Sequence, residues 1–373
     1  MKRIERRVYR NTQGEDEEHS DKVMRKINKQ RRGIYDMTNK LNVGIIGVGR
    51  IGKVHTMSIM NHIPQVRLKG VADFYEDLAR EWAEETGIEK VYSDYKEMLA
   101  DPEIDAVLIC SATDTHAEIS IAAAVAGKHI FCEKPVDLNL EKVEEILKYV
   151  DKAGVKFQVG FNRRFDHNFQ MIKNIIDTGT IGDLHILKIT SRDPGLPTME
   201  YMKSSGGIFM DMTIHDFDMA GFLTGSEADE VFTAAACLVD PKVAELDDFD
   251  TALITIRFKN GAVCCIDNSR QAVYGYDQRA EAFGSKGKVL TGNDYPSSAV
   301  WSTADGVFSE KPLYFFLERY MASFAEEMKQ FMDAIINDKE PPVTGDDFLR
   351  ALRLGLAAQK SAKEGRPVKL SEI

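Results

Sequence analysis

The chain has 373 residues, of which 43% are hydrophobic and 29% charged, with a net charge of −11. That length supports two domains with apolar cores, and the acidic balance sets aside nucleic acids and anionic membranes as main partners. No apolar run approaches the roughly 20 residues that span a bilayer. The five cysteines (Cys110, Cys132, Cys237, Cys264, Cys265) form no Cys-x-x-Cys and no zinc spacing, so no metal is expected and the thiols read as reduced in a cytoplasmic protein.

Residues 1–36 are polar, with clustered Lys and Arg and the acidic run Glu15-Asp16-Glu17-Glu18. They lack the apolar segment of a signal peptide, and their acids do not suit a mitochondrial presequence. A disordered or loosely helical extension is expected. The alternative is that translation starts at Met37, with Arg31-Arg32-Gly33 encoding a purine-rich ribosome-binding site just upstream.

A first domain is expected over residues 37–160. Val43-Gly44-Ile45-Ile46 reads as a buried strand running into Gly47-Val48-Gly49-Arg50-Ile51-Gly52 and a helix. In this G-x-G-x-x-G pattern Gly47 allows the tight turn, Gly49 lets the backbone approach a pyrophosphate, and Gly52 lets the helix pack on the strand. A second strand, residues 66–72, ends in Asp73, about twenty residues beyond the last glycine, where an acid binds the adenosine ribose. Its carboxylate repels a 2′-phosphate and no Arg follows to hold one, which favours NAD over NADP. Strand, helix, strand and helix then alternate over residues 106–111, 115–126, 129–132 and 140–153, and 156–160 closes the series. This is a doubly wound parallel sheet, a Rossmann α/β fold. Ligands bind beyond the carboxyl ends of such strands. With the glycine turn (Gly47, Gly49, Arg50, Ile51, Gly52) and Asp73, the candidate cofactor contacts are therefore Ser111, Thr113 and His116 after one strand, and Glu133 and Lys134 after the next. His116 could equally be a helix N-terminal residue with no chemistry, and Lys134 a surface residue at a turn that Pro135 forces.

From residue 161 the pattern changes to an α+β domain, 161–373. A helix is expected from Asn162 to about residue 177. Strand-like runs follow at 184–191, 231–239, 251–258, 262–268, 278–284 and 289–290, and Asn260-Gly261 is a strong hairpin signal. A large, mostly antiparallel open sheet results. Two amphipathic helices, 320–337 and 346–364, end the chain.

Within this domain lies Ser205-Gly206-Gly207-Ile208-Phe209-Met210-Asp211-Met212-Thr213-Ile214-His215. Apolar residues at Met210, Ile214 and Phe217 have helical spacing. One helix would put Asp211 and His215 on one face, and a carboxylate beside an imidazole raises its pKa and fixes its tautomer. A plain surface Asp–His pair fits the spacing as well. A nicotinamide domain followed by a His–Asp pair points to hydride transfer, with His215 as base, Asp211 as its partner, and Lys134 as the anchor for a substrate oxygen. Asn162, Arg163, Asp193, Tyr276 and Asp277 are polar groups suited to a many-hydroxyl ligand, or simply to a wet surface.

These residues resemble the glucose–fructose oxidoreductase/inositol dehydrogenase family. The likeness runs from about residue 41 to the end of the chain. It rests on the glycine turn, Glu133-Lys134-Pro135, Gly160-Phe161-Asn162-Arg163-Arg164-Phe165-Asp166, Ser191-Arg192-Asp193-Pro194, Asp211-x-x-x-His215 and Tyr274-Gly275-Tyr276-Asp277. The resemblance implies that Lys134, Asp211 and His215 form a catalytic triad. His215 would take the proton from the axial hydroxyl of myo-inositol while hydride passes to NAD, giving scyllo-inosose. It further implies polyol contacts at Arg163, Asp193 and Tyr276, and a homotetramer assembled through the sheet domain. Asp193 stands where some members have Asn, and Asn162 where some have Met, so both bear on which stereoisomer is taken. A dehydrogenase of scyllo-inositol or of a pyranose would use the same triad. A regulator without catalysis would be expected to lack the Lys or the His, and both are present.

Overall fold

The computed structural model describes residues 40–373; the expectation for residues 1–36 lies outside them. The first domain alternates β1 (Leu41–Ile46), α1 (Arg50–His62), β2 (Val66–Ala72), α2 (Glu76–Thr86), β3 (Lys90–Tyr92), α3 (Tyr95–Ala100), β4 (Ala106–Ile109), α4 (Thr113–Val125), β5 (His129–Cys132), α5 (Leu140–Ala153) and β6 (Phe157–Val159). The six strands are all parallel, in the order β3-β2-β1-β4-β5-β6. β1, β4 and β5 are buried almost throughout because helices cover both faces.

The expected helix from Asn162 begins later. Residues Asn162–Phe165 form a 3₁₀ turn, and α6 (His167–Asp177) starts only after Asp166, whose side chain accepts from the N–H groups of Asn168 and Phe169. This crossing between the domains is fastened by buried ion pairs. Arg163 meets Asp216 at 2.6 Å, Arg164 meets Asp218 at 2.6 Å and Asp347 at 2.9 Å, and Arg319 pairs with Asp166.

The second domain continues with β7 (Leu184–Arg192), α7 (Met199–Ser204), α8 (Gly207–Asp211), α9 (Ile214–Thr224), β8 (Ala228–Ala236), β9 (Thr251–Phe258), β10 (Val263–Ser269), β11 (Asp277–Gly284), β12 (Gly287–Thr291), the separate hairpin β13 (Val300–Thr303) and β14 (Gly306–Ser309), α10 (Phe316–Ile336), α11 (Gly345–Glu364) and β15 (Val368–Lys369). Its sheet has seven strands in the order β12-β11-β7-β10-β9-β8-β15, antiparallel except for the parallel β7–β10 pair. β8 ends earlier than expected because both carboxylate oxygens of Asp250 accept from the N–H groups of Leu238, Val239 and Asp240, which folds the chain out of the sheet. One face of the sheet carries the core and packs against α9 and α11. α10 returns to the first domain. It packs along α1, and Met328, Phe331, Met332 and Ile335 join the core formed by β1, β2, β4 and Phe131. Among the described residues no helix is long and apolar enough to cross a membrane, and all five cysteines are free.

Candidate active site

The cofactor cradle lies at the carboxyl ends of β1 and β4. Gly47 adopts φ +97°, and a Cβ there would sit 2.7 Å from the backbone of Cys110 and Ser111. Gly49 is the N-cap of α1. No side chain caps its helix, and a Cβ at Gly49 would meet nothing within 4 Å. Open space in front of unsatisfied N–H groups at a positive helix end fits a pyrophosphate. A Cβ at Gly52 would collide with the Gly47 carbonyl, so the helix packs tightly only with glycine there. Asp73, at the end of β2, accepts from the N–H of Val48 at 2.8 Å and of Tyr75 at 2.9 Å, so it also holds the glycine turn in place. Arg50 is exposed and lies over the Phe315 ring, Ile51 packs into the core edge, the Ser111 hydroxyl pairs with Thr115 at 2.7 Å, and Thr113 opens α4, half-buried.

His116 and Glu133 are held by protein partners. The two ring nitrogens of His116 lie 2.9 Å from the carbonyl of Pro135 and 3.1 Å from that of Ser111. Glu133 binds His55 at 2.6 Å and accepts from the N–H of Lys134. The side-chain polar atoms of both are thus engaged by protein. Glu327 of α10 lies close by, fully buried, with neither carboxyl oxygen hydrogen-bonded among the described residues. Burial first, and the charge of Glu133 second, push its pKa well up.

Lys134 crosses from the first domain to the second. Its Nζ donates to the main-chain carbonyl of Asp211 at 2.9 Å and lies 3.6 Å from the Asp211 carboxylate. That carboxylate also accepts from the Tyr201 hydroxyl at 2.8 Å and from Arg270 Nη1 at 3.2 Å. Tyr201 and Arg270 escape a sequence reading, because neither has a fixed spacing to Asp211 and only the folded sheet brings them together. Arg270 is fully buried, and its Nε and Nη2 have no partner among the described residues.

The single helix carrying Asp211 and His215 is not formed. Gly207 turns the chain at φ +77° into α8, where the Asp248 carboxylate accepts from the N–H of Ile208, and α8 stops at Asp211. Thr213 then ties its hydroxyl to Asn268 of β10 at 2.7 Å and to the Ile208 carbonyl at 3.1 Å, and α9 begins anew at Ile214. This tether breaks the helix, so no hydrogen bond joins Asp211 to His215. The expected rise in the His215 pKa is reversed. Burial holds it well below the ordinary value, and the charges of Lys134 and Arg163 push the same way. The ring packs edge-on against Phe161, and its Nδ1 is buried without a partner. A neutral imidazole can accept a proton.

Asp193 stands in the same cleft, between the charges of Arg270, Asp211 and Arg163, and its carboxylate has no hydrogen bond among the described residues. Burial is the main reason that its pKa is pushed up to about 6, opposed by Arg270 and Arg163. Arg163 lies beneath, with its donors engaged by Asp216, Ser191 and, at 3.4 Å, the Tyr276 hydroxyl. Tyr276 is buried against Tyr320, and Asn162 is buried in the 3₁₀ turn. Arg163 and Tyr276 are thus joined in one buried network. Asp277 is taken up by Tyr274, Arg279 and Asn293, so it belongs to the sheet and not to a ligand.

Residues 41–161 match the oxidoreductase family with an NAD-binding Rossmann fold, and residues 169–290 match the GFO/IDH/MocA C-terminal domain. The chain belongs to the GFO/IDH/MocA oxidoreductase family and uses NAD. It is similar to a myo-inositol 2-dehydrogenase of Thermotoga maritima, 48% identical over 89% of this chain and 99% of that one. A solved structure of a probable dehydrogenase from Thermotoga maritima matches with a TM-score of 0.88 at 48% identity, over 89% of this chain and 100% of that one. A scyllo-inositol dehydrogenase from Lactobacillus casei, solved with NAD(H) and scyllo-inositol bound, matches with a TM-score of 0.84 at 28% identity, over 89% and 100% of the two chains.

Two outcomes follow for this site. Asp73→Ala weakens NAD binding and narrows the preference for NAD over NADP, because the repelling carboxylate is gone; steady-state kinetics with both cofactors measure it, and an unchanged preference counts against the ribose role. Asp193 holds its proton more tightly folded than unfolded, so ionising it costs stability that is lost as pH rises through about 6. Asp193→Asn therefore raises the melting temperature above that pH, with the difference vanishing in acid, while the limb near pH 6 disappears from the pH–rate profile.

Proposed function

We propose that this protein oxidises myo-inositol to scyllo-inosose with NAD. The observation that supports the reading is that Lys134, at the end of the cofactor domain, reaches Asp211 of the second domain, while burial and the charges of Lys134 and Arg163 hold the His215 pKa well below its ordinary value. The similarity to inositol dehydrogenases supports the substrate class. When bound, NAD accepts the hydride from the alcohol carbon. His215 takes the hydroxyl proton as that bond breaks, and its low basicity when buried returns the proton readily afterwards. Lys134 donates to the same oxygen and steadies the charge that develops there. Asp211 orients Lys134 through both its carbonyl and its carboxylate. Asp193, with its free carboxylate, accepts from the other hydroxyls, and Asn162, Arg163 and Tyr276 shape the floor beneath the ring.

A second reading keeps the chemistry and changes the ring to scyllo-inositol or a pyranose. Asp193 and Asn162 favour its inclusion, since they set the polar pattern offered to the hydroxyls. The test is initial NADH production with myo-inositol, scyllo-inositol, glucose and xylose, each with NAD and with NADP. Greatest activity with myo-inositol and NAD is expected. Silence with every polyol, with NAD still bound, would favour a regulator instead. His215→Ala lowers kcat by about 10²–10⁴-fold, and near-normal turnover would remove His215 as the base.

A homotetramer built through the sheet is part of the same proposal. The face of the seven-stranded sheet opposite the core carries Ile186, Phe232, Leu253, Val263, Phe283 and Leu290, all exposed. The strand register aligns Ile186 with both Val263 and Phe283, so these side chains share one surface. An apolar patch of this kind marks an interaction site. Phe283→Arg is expected to lower the mass measured by light scattering from that of four chains to that of smaller species; an unchanged tetramer would exclude this face.

A further inference from the structure

The buried His116 is the feature that the proposed chemistry leaves unused. It lies in the first turn of α4 and is 2% exposed. Each ring nitrogen faces a main-chain carbonyl, Nδ1 that of Pro135 at 2.9 Å and Nε2 that of Ser111 at 3.1 Å. A carbonyl only accepts, and a neutral imidazole has only one N–H to donate. Both contacts are therefore made together only by the doubly protonated ring. Burial opposes that charge, but the contact with Cys132 and the bonds to Pro135 and Ser111 outweigh it, and the pKa is pushed up to about 9.

The two carbonyls belong to the segments that matter most to the site. Ser111 follows β4, and its backbone is packed against Gly47 so closely that no Cβ fits between them. Pro135 follows Lys134, whose amine reaches Asp211. The other flank of this turn is held by Glu133 on His55. We propose that His116 is a positioning residue, a buried imidazolium that locks the segment behind the cofactor cradle to the turn that carries Lys134. The inference rests on the role of Lys134 given above, but its effect on the cradle does not require any particular substrate.

The groups around the ring are few. Cys132 faces it from β5, Glu133 and Lys134 lie in the turn beyond, and Asp114 on its own helix is exposed. Among the described residues no carboxylate is hydrogen-bonded to the ring, and its charge is favoured by Cys132 beside it and by the carbonyls of Pro135 and Ser111. Loss of the second proton removes one of the two bonds and frees one segment from the other.

The experiment measures NAD affinity of the full chain by calorimetry between about pH 7 and pH 10, for wild type, His116→Gln and His116→Leu. A glutamine amide can donate to a carbonyl but does not titrate. Wild-type affinity is expected to fall by about 2–10-fold as pH rises through the range, the worth of one hydrogen bond. The His116→Gln profile is expected to lack that fall. Because a thiol and an amine stand beside the ring, the difference between the two profiles is the readout. His116→Leu, if folded, should bind NAD weakly at every pH, with kcat reduced as well as KM raised. Identical profiles for wild type and His116→Gln would overturn the inference, even in an enzyme that oxidises inositol. A difference in NAD profiles with no polyol oxidised would leave the inference standing and count against the substrate reading alone.

Discussion

Asp211 is the constraint around which the site is assembled. Its carbonyl and carboxylate take Lys134 from the first domain, and its carboxylate takes Tyr201 and Arg270 from the second. One residue thus fixes the distance between the cofactor half of the chain and the substrate half. It does so from the last residue of a short helix, and the tether from Thr213 to β10 sets where that helix stops. Without the tether the helix would continue, Asp211 would turn toward His215, and Lys134 would lose both of its acceptors.

The separation of Asp211 from His215 changes the electrostatics in a useful direction. A partnered imidazole would be a stronger base and would hold its proton. The unpartnered one, buried near Lys134 and Arg163, has its pKa held well below the ordinary value. Asp193 shows the opposite trade. A buried carboxylate without a hydrogen bond is expensive to ionise, and its pKa is pushed up to about 6. The ion pairs at residues 163–166 contribute in a third way: together they join the domain crossing to three helices, two pairs to α9 and one each to α10 and α11, so they specify the relative placement of those helices more than they add net stability.

The parts legible in the sequence were those written in local spacing. The strand, glycine turn, helix and acid of the first domain fall within some thirty residues, where periodicity and glycine chemistry suffice, and Asn260-Gly261 correctly marks the turn between β9 and β10. Lys134 could be singled out because it follows a buried strand and precedes a proline. What depended on distant residues could not be read. The helix break at Met212–Thr213 is caused by Asn268, more than fifty residues away. Arg270 and Tyr201 acquire meaning only from Asp211. His116 does stand in the first turn of its helix, but its bonds to the carbonyls of Ser111 and Pro135 come from the fold, as do those of Asp277 to Arg279 and Asn293.

The return of α10 to the first domain has a consequence for biosynthesis. Met328, Phe331, Met332 and Ile335 fill the core beneath β1 and β4, with Phe331 against Phe131 at 5.9 Å. The nucleotide-binding half is therefore not a unit that can close as it leaves the ribosome. Its sheet emerges with an open apolar flank and must keep that flank from other chains while the whole second domain is still being made. The core of the first half is completed by a helix that belongs in sequence to one half and in packing to the other.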